Sequence, residues 1–259
     1  MQPCILTHQA RKILLNTVFR RLDNFQQHSA EEMKALEDCV SGVAEINKGE
    51  DIIRYGDKPK AVHLLLEGWA CRYKITSQGK FQTLAYLIPG DLCDVHITLI
   101  SKMDHSISAL TPAKVAYIPH DKIGYIYDNY PRLARALFWS MLIDESTLRE
   151  WIVNVGSRAA DQRLAHLICE LLVRSRAAGL TADHSFYLPL TQAEMGEAMG
   201  ITTIHTNRVM QKLRSEGLIK TTRKVIDISD WKGLKQFADF DPIYLHLEQA
   251  EPELARDLE

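Results

Sequence analysis

The segment TQAEMGEAMGITTIHTNRVMQKLRSEGLIK, residues 191–220, decides the fold of the C-terminal part of the chain. Thr191 and Glu194 have the spacing of a capping box, which predicts a helix that begins directly after Thr191. Gly200 ends that helix, and Thr202 can cap a second helix after the turn. Two short helices joined by a glycine-containing turn predict a helix-turn-helix. The alternative is an ordinary helical hairpin in an unrelated α-helical domain.

The next segment, GLIKTTRKVIDISD (residues 217–230), has the pattern of a strand, a tight basic turn and a second strand. A β-hairpin in this position is a wing, and the order of elements favours a winged DNA-binding domain over the simple hairpin. Residues 191–225 contain six basic and three acidic residues, although the whole chain has a net charge of −2. A basic segment in a mildly acidic chain is typical of a surface that contacts nucleic acid.

In a helix-turn-helix, the N-terminal part of the second helix points its side chains at base edges in the major groove. We expect Arg208 to pair with a guanine, with a phosphate contact or a surface salt bridge as the alternatives. Ile204 either contacts a thymine methyl group or packs inside. Gln192 suits a contact to the DNA backbone, and Arg223 and Lys224 at the wing tip suit phosphates. The complete predicted set of DNA contacts is Gln192, Thr202, Thr203, Ile204, His205, Thr206, Asn207, Arg208, Lys212, Arg223 and Lys224.

Between about Val43 and Pro119, short apolar runs alternate with turns that contain glycine. The runs AVHLLLEG, WACRYKIT, FQTLAYLI and KVAYIP have the length and the residue types of β-strands. Short strands at regular spacing with turn signals predict an antiparallel sandwich or roll. Ser29 and Glu32 form another capping box, so helical structure precedes the sheets.

Pro131 suits the first turn of a helix, and no further proline or glycine interrupts the chain until Gly156. Apolar residues recur along this segment at heptad spacing in two competing registers. One runs through Ala134, Leu137, Met141, Leu148, Trp151 and Val155, and the other through Phe138, Met141, Leu148 and Ile152. A buried core helix and a dimer-forming coiled coil both fit, and the position between two unlike domains favours the dimer. The predicted dimer contacts are Leu137, Met141, Leu148, Trp151 and Ile152.

The 259 residues are predicted to form an α+β protein in four parts. Residues 1–130 form a β-roll sensor domain with N-terminal helices, 131–156 the dimerisation helix, 157–240 a winged helix-turn-helix domain and 241–259 an acidic tail. No apolar run approaches the ~20 residues that cross a bilayer, and the N-terminus lacks the layout of a signal peptide. We therefore expect a cytoplasmic protein without a membrane partner.

Roughly residues 20–238 resemble the superfamily of the cyclic-AMP receptor protein and the fumarate-nitrate regulator (CRP/FNR), which are bacterial transcription factors. The resemblance is carried by KGEDIIRYGD, LLLEGWACRYK and PGDLCD, by the long helix and by LTQAEMGEAMGITTIHTNRVMQKLRSEGLI. It implies a double-stranded β-helix of the jelly-roll, cyclic-nucleotide-binding type, a homodimer, a near-palindromic site on double-stranded DNA and contact with RNA polymerase. Many members have a glutamate at the position of Ile204, so their DNA consensus is not carried over.

Members that bind cyclic AMP carry a Gly-Glu pair, and an arginine ten residues after that glutamate binds the cyclic phosphate. Aligned from Gly90, this chain has Val95 at the carboxylate position and His105 at the arginine position. A mostly neutral histidine cannot reproduce the two charged hydrogen bonds of an arginine fork. We therefore expect that cyclic AMP is not bound in the usual way. The predicted lining of the effector pocket is Asp91, Cys93, Val95, His105 and Ser106.

Other cofactors of the family leave weaker signals. Members that hold an iron–sulfur cluster have a dense N-terminal group of cysteines, whereas this chain has only Cys4 there, so no such cluster is expected. Haem-binding relatives use a Cys or His in the roll. A haem site is therefore an alternative here, and its candidate ligands are Cys71, His63, His96 and His105.

Two alternatives to a signal-controlled regulator remain. The first is a cupin-like metal-dependent enzyme, because His96 follows Gly90 at a cupin-like distance; Thr98, however, replaces the second histidine. We therefore predict no metal site and no catalytic residue. The second is a regulator that binds no ligand and is controlled by its abundance, with which Val95 and His105 are compatible.

Overall fold

The computed structural model describes residues 15–247. The predictions for residues 1–14, which include Cys4, and for the acidic tail after residue 247 lie outside this part. Two helices, α1 (Asn16–Asp23) and α2 (Ala30–Cys39), precede the sheets. The capping box before α2 is confirmed, because the Ser29 hydroxyl accepts from the Glu32 amide and the Glu32 carboxylate accepts from the Ser29 amide.

Seven strands form the predicted roll as two antiparallel sheets. The strands are β1 (Gly42–Ile46), β2 (Asp51–Ile53), β3 (Ala61–Glu67), β4 (Ala70–Ile75), β5 (Phe81–Leu87), β6 (Ser106–Ala109) and β7 (Ala113–Pro119). One sheet has the order β1-β7-β3 and the other the order β2-β6-β4-β5. Gly68 turns the chain from β3 to β4 with a φ of 86°, and a Cβ there would lie 2.4 Å from the carbonyl oxygen of Pro112. Only glycine fits this turn, because it combines a left-handed backbone with a close approach.

A short helix, α3 (His120–Asn129), leads into the long helix α4 (Pro131–Ser157), which begins at the predicted proline. The prediction that Leu137 and Trp151 lie in the dimer contact is wrong. Both side chains are buried within this chain, since Leu137 belongs to the core of the roll and Trp151 to the core of the C-terminal domain. Phe138 and Ile152 are exposed instead, so the second heptad register lies on the open face.

The C-terminal domain has the predicted order of helix, helix-turn-helix and hairpin. Its elements are α5 (Ala160–Ala177), β8 (Ser185–Tyr187), α6 (Gln192–Met199), α7 (Thr203–Ser215), β9 (Ile219–Thr222), β10 (Val225–Ile228), α8 (Trp231–Ala238) and a 3₁₀ turn (Pro242–Leu245). Strand β8 extends the hairpin into a sheet of order β8-β10-β9. Among residues 15–247, no helix is both long and apolar enough to span a bilayer.

The C-terminal domain is fixed to the roll through the buried guanidinium of Arg174 on α5. This group donates to the Asp91 carboxylate and to the Tyr86 carbonyl, each at 2.9 Å, and to Glu170 at 3.2 Å. Arg21 of α1 approaches the other oxygen of Asp91 at 2.8 Å. Four charges with alternating signs, three of them buried and Arg21 partly exposed, therefore run from the N-terminal helix through the roll into α5; we call Arg21, Asp91, Arg174 and Glu170 the ionic chain.

The far end of the ionic chain also binds the long helix and the C-terminal segment. The Glu170 carboxylate accepts from the Trp151 indole at 2.9 Å and from the Tyr244 hydroxyl at 3.0 Å. The Ser146 hydroxyl of α4 donates to the Tyr244 carbonyl at 2.7 Å. The first helix of the helix-turn-helix also contacts the roll, because the Tyr86 hydroxyl donates to the Glu194 carbonyl at 2.7 Å.

Arg174→Met should lower the free energy of unfolding by about 3–5 kcal/mol, since it leaves Glu170 as a buried carboxylate without a charged partner and removes one of the two guanidinium partners of Asp91. Urea denaturation followed by circular dichroism measures this. Lys232→Met, at an exposed lysine of α8, is the control and should change the free energy by less than about 0.5 kcal/mol. An Arg174→Met protein as stable as the wild type would show that the ionic chain does not hold the domains together.

Candidate nucleic-acid interface

Both helices of the helix-turn-helix begin where the sequence predicts. The Thr191 hydroxyl accepts from the Glu194 amide at 3.1 Å, and the Glu194 carboxylate accepts from the Thr191 amide at 2.6 Å. Gly200 ends α6 with a left-handed φ of 66°. The Thr202 hydroxyl then accepts from the His205 amide at 3.2 Å and caps α7.

The close contact between the two helices decides which α7 side chains are free. A Cβ on Gly196 would lie 2.7 Å from both the Ile201 carbonyl oxygen and the Thr206 hydroxyl. Thr206 differs from the prediction, because it is fully buried at this contact and its hydroxyl donates to the Thr202 carbonyl at 3.1 Å. Thr206 therefore stabilises the turn and is removed from the set of predicted DNA contacts. Ile204 does not pack inside, since 70% of it is exposed.

The first half of α7 carries four exposed side chains. The side chains that face solvent are Thr203, Ile204, His205 and Arg208. Ile204 and Arg208 are four residues apart, so they lie one turn apart on the same side of the helix. The buried side consists of Thr206, Val209, Met210 and Leu213. The helix therefore presents its predicted reading residues outward and its apolar residues to the domain core.

Two predicted contacts already have partners in the protein. The Lys212 ammonium lies 2.6 Å from the Asp161 carboxylate and 4.8 Å from the ring centre of Phe237. The Asn207 amide donates to the Gln192 side-chain oxygen at 2.9 Å. To bind a phosphate, Lys212 must release the Asp161 carboxylate. The side-chain amides of Asn207 and Gln192 each retain further donors and acceptors while they are paired with each other.

The predicted wing is confirmed as the β9–β10 hairpin. Thr222 pairs with Val225, so Arg223 and Lys224 form a two-residue turn at its tip. Arg223 has a left-handed φ of 55°, and both basic side chains are exposed. The wing tip is therefore a pair of exposed cations beside the helix-turn-helix, without an ion-pair partner among residues 15–247.

The roll contains a cavity of about 350 Å³ between its strands and α4. Arg72 of β4 lies at this cavity and donates to the carbonyls of Leu92 and Cys93 and, at 2.7 Å, to the Asp144 carboxylate of α4. Its guanidinium therefore joins the roll to the long helix. The sequence offered one signal for it, a charged residue among the apolar residues of the strand WACRYKIT.

Of the residues predicted to line the effector pocket, Val95 and His105 line this cavity and the other three do not. Asp91 belongs to the ionic chain, Cys93 is completely buried, and the Ser106 hydroxyl accepts from the Tyr55 amide. Lining residues that the sequence did not reveal include Arg72, His96, Asp104 and Asp144. Prediction failed here because the sequence does not show which face of each strand α4 covers.

Four of the five cysteines lie within residues 15–247. Cys39, Cys71, Cys93 and Cys169 are buried and free. Burial raises the pKa of Cys71 to about 12 and raises that of the other three thiols as well. Of the candidate haem ligands, His96 and His105 line the cavity. The His63 Nδ1 atom instead lies 2.6 Å from a carboxylate oxygen of Asp94.

Comparison with known proteins places both halves of the chain. The cyclic nucleotide-binding domain model matches residues 43–130, and the Crp-like helix-turn-helix domain model matches residues 162–237. The Anaerobic regulatory protein of Haemophilus influenzae is 27% identical over 206 residues, 79% of each chain. The transcriptional activator protein anr of Pseudomonas aeruginosa is 26% identical over 202 residues, 78% of this chain and 82% of the relative. The chain belongs to the CRP/FNR superfamily.

The fold is shared with a solved structure. The structure of FixK2 from Bradyrhizobium japonicum superposes with a TM-score of 0.68 at 18% identity, over 76% of this chain and 96% of that one. As a member of the CRP/FNR superfamily, our chain is a DNA-binding transcription regulator. The alternative function predicted from the sequence, a cupin-like enzyme, is therefore wrong. Within residues 15–247, no three His, Cys, Asp or Glu side chains are grouped to hold a metal ion.

Proposed function

We propose that this CRP/FNR-type regulator acts in the bacterial cytoplasm as a homodimer that binds a near-palindromic DNA site. The observation that carries this proposal is the exposed first half of α7 beside the exposed cations of the wing tip. A helix N-terminus supplies base contacts in the major groove, and flanking cations hold the backbone in register. RNA polymerase is the proposed second partner, because one relative is named a transcriptional activator.

The exposed face of α4 supports the homodimer. Phe138 and Ile152 lie two heptads apart, and Leu148 and Val155 lie one heptad apart, all of them exposed. Two copies of such a face pack as a coiled coil about a two-fold axis. The two α7 helices would then meet half-sites about 34 Å apart on one side of the duplex.

Within each half-site, the side chains have different proposed tasks. Arg208 makes a bidentate contact to guanine, and Ile204 contacts a thymine methyl group. Gln192, Arg223 and Lys224 hold the backbone. Because Ile204 replaces the glutamate of many members, the site differs from theirs at the base pair that this residue meets.

We propose a signal other than cyclic AMP, or none, for the roll. Burial lowers the pKa of His105, which favours the neutral imidazole at the phosphate-binding position, although the Asp104 carboxylate lies 2.7 Å from the ring and opposes this shift. The only arginine at the cavity within residues 15–247, Arg72, is already bound to Asp144. This internal ion pair supplies the link between roll and α4 that a bound anion would otherwise provide.

Selection from a random DNA pool should enrich a near-palindrome with the wild-type protein. Arg208→Ala should bind that site about 5–150-fold more weakly, since a bidentate base contact contributes about 1–3 kcal/mol. Arg214→Ala is the control, because Arg214 lies on another face of α7 and is held by Thr221. Enrichment of no symmetric site, or equal affinity of the Arg208 variant, would contradict the proposed function.

Ile152→Glu should convert the dimer to a monomer and abolish tight binding to the palindrome. The side chain is 72% exposed in one chain, so the change places a charge in the proposed contact without disturbing the core of that chain. Light scattering after size exclusion measures the mass. Ile75→Glu, at an equally apolar residue that is 57% exposed on β4, should remain dimeric. A dimeric Ile152→Glu protein would rule out α4 as the contact.

Cyclic AMP should leave the thermal unfolding midpoint unchanged, because a ligand raises it only if it binds the native state. The selected DNA duplex serves as the positive control in the same assay and should raise the midpoint. A saturable rise with cyclic AMP would contradict the reasoning from His105 and Arg72.

A further inference from the structure

The helix-turn-helix contains one polar contact that the proposed set of DNA contacts does not explain. The Asn207 Nδ2 group of α7 donates to the Gln192 Oε1 atom of α6 at 2.9 Å. Gln192 is the first residue of α6, and both side chains are only partly buried. The pair therefore lies at the edge between the two helices, open to a ligand on one side.

Helical geometry places Asn207 within the exposed face of α7. It follows Thr203 by four residues and Ile204 by three, and residues at these spacings are neighbours on a helix surface. It directly precedes the exposed Arg208. Thr206 and Val209, in contrast, belong to the buried side of the helix. Asn207 therefore lies at the side of the exposed face that borders α6, where it reaches both Gln192 and solvent.

The hydrogen-bond inventory of the pair restricts what Asn207 can bind. A side-chain amide has two N–H donors and one carbonyl oxygen. One donor of Asn207 is used by Gln192, which leaves one N–H and the oxygen for a ligand. Adenine presents the matching acceptor and donor in the major groove, N7 and the N6 amino group.

We infer that Asn207 reads an adenine in each half-site and that Gln192 is the positioning residue that holds the amide in the reading orientation. This inference rests on the proposed function, because it assigns one base pair of that site. The hydrogen bond to Gln192 fixes the plane of the Asn207 amide before DNA binds. The remaining N–H groups of Gln192 stay free for the adjacent phosphate.

Selected-site profiles of matched variants test this inference. The wild type should require adenine at one symmetric pair of positions. Asn207→Ala should lose this requirement and bind the best site about 5–150-fold more weakly, the range expected for a bidentate contact. Asn207→Asp should move the preference from adenine to cytosine, because a carboxylate accepts from the cytosine amino group.

Gln192→Ala should weaken the adenine preference at the same positions, and the double variant Gln192→Ala with Asn207→Ala should discriminate there no better or worse than Asn207→Ala. Gln236→Ala, at an exposed amide on α8, is the control and should leave the profile unchanged. Circular dichroism checks that each variant is folded.

The outcomes separate this inference from the proposed function. A wild type that selects a palindrome, with an Asn207→Ala profile identical to it, overturns the adenine contact alone. An unchanged adenine preference in Gln192→Ala overturns the positioning role. A wild type that selects no site overturns both.

Discussion

The arrangement of this protein depends on the pairing of Arg174 with Asp91. A buried charge is tolerated only when an opposite charge and further hydrogen bonds satisfy it. Asp91 belongs to the roll, Arg174 to the C-terminal domain, and Arg21 to the helix before the roll. Asp91 draws both of its charged partners, Arg21 and Arg174, from outside the roll, so their pairing ties the N-terminal helix and the C-terminal domain to the roll.

The same part of the roll also borders the cavity. Asp91 binds α5, while the next two residues, Leu92 and Cys93, offer their carbonyls to Arg72, which in turn binds Asp144 of the long helix. A short segment therefore has polar contacts to both the DNA-binding domain and α4. A signal that displaced this segment would act on both at once, which is the physical requirement for coupling a sensor to the position of α7.

The helix-turn-helix and the wing could be predicted from the sequence because they depend on local residue patterns. Features that depend on tertiary packing could not be predicted in this way. The capping boxes at Thr191 and Ser29 and the two-residue wing turn depend on neighbours within a few positions, so their sequence patterns were sufficient. The two registers of α4 were nearly equivalent in sequence, and only the packing of α5 and the roll shows which is covered. Thr206 was misassigned for a similar reason, because its burial depends on the absence of a side chain at Gly196. Most of the cavity lining escaped prediction because it is assembled from the roll and α4 together.

A structure of the protein bound to its selected duplex tests the central claim most directly, since that claim concerns where α7 lies. The account predicts two chains related by a two-fold axis through the paired α4 helices, with the first half of each α7 in a major groove and each wing tip at a phosphate. A complex in which α7 lies away from the groove, or in which a single chain occupies the site, would contradict it.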